Sequence, residues 1–162
     1  MVWYNTGKTI MLDPSFNWGT AMPEAPLQLL SDVVFVALML TTYSLNIDTH
    51  LDFADVATSE IANSGVTGYV ARGDGTPLAS KAVVVDNTND RGEFDAANLV
   101  YTAIGNGTNA TFDQIVIGRE NDTTPTDATS PLIAHSTVSS TTTNGGDVTL
   151  VWNAEGILHI TT

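Results

Sequence analysis

The chain has 162 residues, of which 43% are apolar, which is enough for one domain with a buried core. Eighteen acidic residues against five basic ones give a formal charge of −13, which opposes binding to nucleic acid and to anionic membranes. There is no cysteine, so disulfides, thiolate catalysis and cysteine-based zinc sites are excluded.

Residues 1–32 differ in composition from the rest and are predicted to form an irregular N-terminal arm. Three prolines remove backbone donors, so a central strand is not expected over Asp13–Pro26. The arm also carries large apolar side chains, which must be buried somewhere. Two alternatives stay open: the arm folds over the remaining chain as an internal lid, or it docks on a partner. The candidate partner-binding residues are Trp3, Tyr4, Phe16, Trp18, Met22 and Leu27.

Residues 33–162 are predicted to form a single β-domain. Threonine is abundant while lysine and glutamate are scarce, which disfavours helices. Short apolar runs separated by turn residues are typical of an all-β fold, either an antiparallel sandwich or a barrel, jelly-roll-like in type. The predicted strands are Val33–Thr41, Thr67–Ala71, Lys81–Asp86, Gly92–Phe94, Leu99–Ala103, Gln114–Arg119, Leu132–Val138, Asp147–Trp152 and Ile157–Thr161.

At most one short helix is expected, over Asp52–Ile61. Val56 and Ile61 fall roughly on one side of such a helix, and Asp52 or Asp55 is a suitable N-cap. We expect one or two turns there, on the surface. The longest apolar run, Val33–Leu40, is too short to span a bilayer.

The end of the chain is predicted to be a terminal β-hairpin. Asp147–Trp152 and Ile157–Thr161 flank an Asn-Ala-Glu-Gly turn. Because side chains alternate along a strand, Trp152 shares a face with Val148 and Leu150. These aliphatic neighbours favour a core position for Trp152 over an exposed platform for stacking on sugars.

The stretch Asp86–Asp95 carries oxygen side chains at alternate positions, as the start of a calcium-binding loop does. The match then fails, because glycine comes at the seventh position instead of the sixth and Ala97 stands where a bidentate glutamate belongs. An acidic hairpin loop between two strands is therefore favoured over a calcium site.

No pattern in the sequence indicates catalysis. The histidines His50, His135 and His159 are scattered without metal-ligand spacing, and an ordinary strand position is expected for His159. No serine lies in a Gly-x-Ser-x-Gly motif, and no loop is typical of a phosphate cradle. We therefore expect no enzymatic activity, no cofactor and no metal.

Six stretches, in this order and spacing, resemble a family of small virion structural proteins of tailed bacteriophages. Some members of that family look like capsid decoration, or cement, proteins. The resemblance spans nearly the whole chain but departs at Asp13–Ser31, where this chain carries extra sequence rich in proline and aromatic residues. The stretches are Tyr4–Lys8, Asp55–Ile61, Gly65–Tyr69, Asp86–Asp95, Thr129–Ala134 and Asn144–Leu158.

The resemblance implies a non-enzymatic building block on the outer surface of a capsid, assembled in the host cytoplasm. Its partner would be the major capsid protein of the shell, and it would stabilise capsomer junctions, as a homotrimer if it sits at three-fold positions. If the arm does the docking, deleting Met1–Pro26 should abolish shell binding. Two alternatives stay open: a tail, fibre or adhesin-like module that binds host glycan, and a tail-assembly adaptor.

Overall fold

The fold is all-β, as predicted. The computed structural model describes residues 30, 32–73, 76–89, 91–120 and 127–161; for 2–3 and 159–161 the description covers the backbone alone. Among these residues no helix is both long and apolar enough to cross a membrane. The strands are β1 (Val2–Trp3), β2 (Val33–Leu40), β3 (Ala82–Asp86), β4 (Arg91–Asp95), β5 (Leu99–Tyr101), β6 (Thr111–Glu120), β7 (Leu132–Thr142), β8 (Val148–Leu150) and β9 (Leu158–Thr161).

The strands form three antiparallel sheets. The largest has the order β1-β7-β6-β2, and the two smaller ones have the orders β3-β4-β9 and β5-β8. The main hydrophobic core contains side chains from all three sheets, among them Ile117, Phe94 and Leu150. The large sheet is thus covered on one face by the two small sheets, in the layered manner of a sandwich. No closed barrel is formed by the part of the chain that the structure describes.

β2 is buried on both faces, which explains why its eight residues are apolar without alternation. Val34, Val36 and Leu38 point into the main core. Phe35, Ala37 and Met39 point into a second, smaller core on the opposite face. Segments between Tyr43 and Ala57 cover that second core. β2 is therefore a central element although it is the last strand of its sheet.

The outer edge of β2 is closed by side chains and a loop instead of a further strand. The amide of Leu38 donates to the Tyr69 hydroxyl at 3.0 Å, and the Tyr101 hydroxyl donates to the carbonyl of Val36. The amide of Leu78 donates to the carbonyl of Val34 at 2.9 Å. These bonds satisfy backbone groups that would otherwise be buried without partners.

The predicted helical stretch is a series of 3-10 turns at Phe53–Asp55, Ala57–Ser59 and Ile61–Ser64. Asp52 is the N-cap as expected, and it forms a reciprocal capping box with Asp55. The expected surface position is wrong, however. Three apolar side chains, Phe53, Val56 and Ile61, are at most 1% exposed. Phe53 lies in the first turn, Ile61 lies in the third, and Val56 lies between the first two.

Two sequence predictions about strands are wrong. The last two strands do not pair with each other: β8 pairs with β5, and β9 pairs with β4. The turn before β9 leads the chain from the β5–β8 sheet to the β3–β4–β9 sheet. There the amide of Ile157 donates to the carbonyl of Phe94 in β4, which starts the pairing of β9 with β4. Thr67–Ala71 is not a strand either. Gly68 within it has a left-handed φ angle of 80°, and Arg72, which directly follows it, has one of 59°.

The start of the chain is more regular than expected at two residues. The backbone of Val2–Trp3 pairs with β7, with Val2 opposite His135 and Trp3 opposite Ala134. Among the predicted docking residues, Tyr4, Phe16, Trp18, Met22 and Leu27 lie outside the described residues, and Trp3 is described by its backbone alone. Removing Met1–Pro26 would thus also remove a strand, so that deletion would not isolate docking from folding.

Candidate docking surfaces

β3 presents an exposed apolar edge. It is the outermost strand of its sheet, and in the described part of the chain nothing pairs with its outer side. Val83, Val84 and Val85 are 58%, 50% and 70% exposed. Because side chains alternate along a strand, Val83 and Val85 point to one face of β3 and Val84 points to the other. The strand is therefore exposed on both of its faces. We call these three residues the valine edge.

The valine edge is exposed because the small sheet extends beyond the core. Val83 lies opposite Phe94 and shares its face, yet Phe94 is 4% exposed while Val83 remains open. Opposite Val85 stands Gly92, which offers no side chain to pack on. Open apolar strand edges promote association, and most proteins protect them with charges or prolines. Here Lys81 precedes the three valines and Asp86 follows them, while on the paired strand Glu93 lies opposite Val84.

The face of the β3–β4 hairpin that carries Val84 also carries a charge cluster around Arg91. Its guanidinium Nε lies 3.3 Å from Asp86 and 2.7 Å from Glu93, and its Nη2 contacts Glu155. A hydrogen bond from Asn89 and the amides of the turn hold the pKa of Asp86 below its usual range. The cluster joins the hairpin to the turn that precedes β9.

The acidic hairpin predicted for Asp86–Asp95 is confirmed, since β3 and β4 pair antiparallel with Asp86 opposite Arg91. Oxygens of Asp86, Glu93 and Glu155 lie within 4.8 Å of one another, a spacing that a metal ion could use. The Arg91 guanidinium already lies among them and supplies the positive charge. The described geometry therefore explains the cluster as an ion-pair network.

A second candidate surface is a groove of about 820 Å³ between β7 and the segment 148–157, which we call the β7–β8 groove. Phe112, Ile115 and Leu150 form its apolar floor, and all three belong to the main core. Its walls carry hydroxyls from both sides. These are Ser136, Thr137, Ser139, Thr141 and Thr149.

The groove exists because the side chains of β7 change from apolar to small and polar along the strand. Leu132, Ile133, Ala134 and His135 are buried, whereas Ser136–Thr142 contains only serines and threonines with a single valine. Ser136 lies opposite Ile115 and Thr141 opposite Phe112, so these small side chains share the core-facing side. Larger apolar residues at these two positions would fill the opening between the sheets. Sequence reasoning missed the groove because serine and threonine in a strand usually indicate a solvent-exposed face.

Trp152 borders the groove and packs against the main core, as its aliphatic neighbours predicted. It is half-buried and lies just beyond the end of β8. Its indole Nε1–H donates to the carbonyl of Ala97 at 3.0 Å, and its amide donates to Asn98 at 3.1 Å. The ring is therefore fixed by its own fold.

Two histidines meet on Tyr43. The Tyr43 hydroxyl lies 3.1 Å from His50 Nδ1, and the Tyr43 and His135 rings are 5.8 Å apart. His135 Nε2 lies 2.9 Å from Gln114 Oε1, while the Gln114 amide nitrogen donates to a carbonyl, so His135 donates from Nε2. Burial lowers the pKa of His135. His159 lies in β9 as expected, opposite Glu93.

Comparison with family models, with characterised proteins and with solved structures gives no match to this chain.

Proposed function

We propose that the chain is a virion structural protein of a tailed bacteriophage, and specifically a capsid decoration protein that binds the outer surface of the head shell. The resemblance of the sequence to virion structural proteins is the reason for proposing a tailed-bacteriophage particle. The valine edge is the observation that supports docking, because it is an apolar, hydrogen-bond-competent strand edge on a strongly acidic protein.

The proposed mechanism is mechanical. A packaged genome pushes outward on a thin shell, and the junctions between capsomers are its weak seams. A β-domain that bridges neighbouring copies of the major capsid protein adds buried area at those seams. A single contact of about 1,000 Å² suffices when it is repeated over the shell and coupled within an oligomer. We infer a homotrimer for positions on three-fold axes.

The net charge of −13 fits a position outside the shell. The packaged DNA lies inside, and an acidic protein is repelled by its phosphates. Docking through the valine edge also limits charge repulsion, because residues 79–85 contain one lysine and no acidic residue. The neighbouring acids Asp86 and Glu93 are paired with Arg91.

The direct test mixes the purified full-length chain with empty, expanded shells and measures bound protein after sedimentation. We expect saturable binding that Val84→Lys weakens by about tenfold or more, because a charge would enter an apolar contact. Val70→Lys is the matched control, since Val70 is 54% exposed and lies outside the strands. Equal binding of both variants would reject docking through β3, and no binding of the unmodified chain would reject the decoration role.

A tail module or adaptor is the second candidate, and the β7–β8 groove is the observation that favours it. A recessed site beside Trp152 suits recognition of a further component. Copy number in purified virions separates the two roles: a decoration protein scales with the shell protein, whereas a tail component scales with the tail.

A further inference from the structure

The β7–β8 groove lies along a strand edge that already accepts a strand at one end. β7 is bonded to β6 on one side, and on the other side β1 pairs only with Ala134 and His135. From Ser136 to Thr142 no described strand occupies that second side. The groove begins at Ser136, directly after the two residues that pair with β1, so it follows the same edge of β7.

The backbone of β7 is irregular in this stretch. Phe112 lies opposite Thr141 and Gln114 opposite Thr137, so three residues of β7 face the single residue Asp113 of β6. Such a bulge takes residues out of the ladder with β6. The carbonyl of Ser139, within the bulge, accepts from the Thr141 hydroxyl at 3.0 Å. This bond satisfies one backbone carbonyl of the bulge within β7 itself.

The dimensions and chemistry of the groove suit an extended peptide. Because of the bulge, Ser136–Thr142 runs alongside only Thr111–Ile115 of β6, a length of about 13 Å at about 3.3 Å per residue, which suits an inserted strand of about five residues. In a strand placed there, every second side chain would reach the apolar floor of Phe112, Ile115 and Leu150. The intervening side chains and the backbone would meet the hydroxyls of the walls.

Charge restricts the occupant further. Among the described residues, the lining contains no lysine or arginine, and its single acid, Glu155, is paired with Arg91. The residues that enter the groove must therefore be uncharged. The chain as a whole carries −13, so basic residues flanking the inserted stretch would be attracted to it.

We propose that the β7–β8 groove is an acceptor site for an extended segment of a partner protein, which adds to β7 as a strand with aliphatic side chains at alternate positions. The site is distinct from the valine edge and does not depend on the decoration role. A sugar is a poorer fit, because the Trp152 indole is held by Ala97 and packed on the core instead of standing free.

The test uses the full-length chain and the synthetic peptide acetyl-Lys-Val-Thr-Val-Thr-Val-Lys-amide, followed by calorimetry and by amide hydrogen exchange. We expect binding together with slower exchange of amides within Ser136–Thr142. A peptide with proline in place of the central valine keeps the charge but lacks one amide donor. It should bind about tenfold more weakly or worse.

Groove variants localise the binding. Val138→Lys places a charge at the groove and should reduce peptide affinity about tenfold, whereas Val70→Lys should leave it unchanged. Should Val138→Lys fail to fold, Ser136→Lys serves instead, because Ser136 lines the groove, shares the core-facing side with Ile115 and is only half-buried.

Three results would overturn the proposal. The first is no binding of the valine peptide at about 1 mM, which is weaker than any useful strand contact. The second is equal binding of the valine and proline peptides, or binding that the groove variants leave intact. The third is slowed exchange at the same amides by tri-N-acetylglucosamine but not by the peptide, which would assign the groove to sugar.

Discussion

The Tyr69 hydroxyl donates to the buried carboxylate of Glu60 at 2.8 Å and accepts the amide of Leu38 at 3.0 Å. One phenol thus links an acid that is 1% exposed to the outer edge of β2. Burial, and then the charge of Glu60, raises the pKa of Tyr69 well above its usual range. The hydroxyl therefore stays protonated, and remains a donor, under all ordinary conditions.

Tyr69→Phe should lower the free energy of unfolding by about 2–3 kcal/mol, because two buried groups lose a partner and one of them is charged. Urea denaturation followed by circular dichroism measures this. Tyr101→Phe is the matched control: it removes a single bond to the carbonyl of Val36 and should cost about 1 kcal/mol. A smaller loss for Tyr69→Phe than for Tyr101→Phe would contradict the role assigned to Glu60.

Gly118→Ala should destabilise the protein by about 1–3 kcal/mol through overpacking. Gly118 lies opposite Phe35, and a Cβ there would stand 2.2 Å from Phe35 Cζ. The Phe35 ring is itself held edge-on by Phe53, with ring centroids 5.5 Å apart, so it has little room to move. Gly92→Ala is the control, because no atom lies within 4 Å of a Cβ at that position. Thermal unfolding of the two variants should differ clearly, and equal melting temperatures would show that the Phe35 contact is not tight.

Stability should fall on mild acidification because of His135. Burial lowers its folded pKa below the ordinary value of 6.5, so the unfolded chain takes up the proton more readily. The contribution of neutral His135 is fully present above pH 6.5 and is lost as the pH falls through the folded pKa. The slope is at most about 1.4 kcal/mol per pH unit for one proton. Denaturant titrations between pH 7.5 and 5.5 should show this slope in the unmodified chain and a flatter one in His135→Gln. The same slope in both would assign the effect to other groups.

Calcium should leave the melting temperature unchanged, because Arg91 already neutralises the carboxylates of Asp86, Glu93 and Glu155. Arg91→Ala should lower the melting temperature measurably at low ionic strength, since three acids would then face one another. Added sodium chloride should recover part of that loss by screening. A rise of several degrees on adding calcium to the unmodified chain would contradict this view and favour a metal-dependent module.

Strands that carry a local signal were predictable. β2 stands out as an eight-residue apolar run, and the β3–β4 hairpin is marked by its turn residues, so the sequence predicts the bounds of both within a residue or two. The prediction of a terminal hairpin was wrong because both of its strands pair with strands that are distant in the sequence. β8 lies against β5 and β9 against β4, and proximity in the sequence does not reveal either choice.

The candidate surfaces were harder to foresee than the strands. The sequence of the valine edge is typical of any strand. Its side chains are exposed because β3 is the outermost strand of its sheet, and the sequence does not show that position. The β7–β8 groove depends on which side of β7 Ser136 and Thr141 face, and that register is set by the pairing with β6. The two tyrosines that close β2 lie 31 and 65 residues from the groups they bind, beyond the reach of any local pattern.

A cryo-electron microscopy reconstruction of the virion head, detailed enough to separate strands, tests the central claim most directly. The decoration hypothesis predicts density for this β-domain on the outer surface at capsomer junctions, with Val83, Val84 and Val85 against the major capsid protein. Density confined to the tail, or a head-bound domain whose valine edge faces solvent, would contradict it.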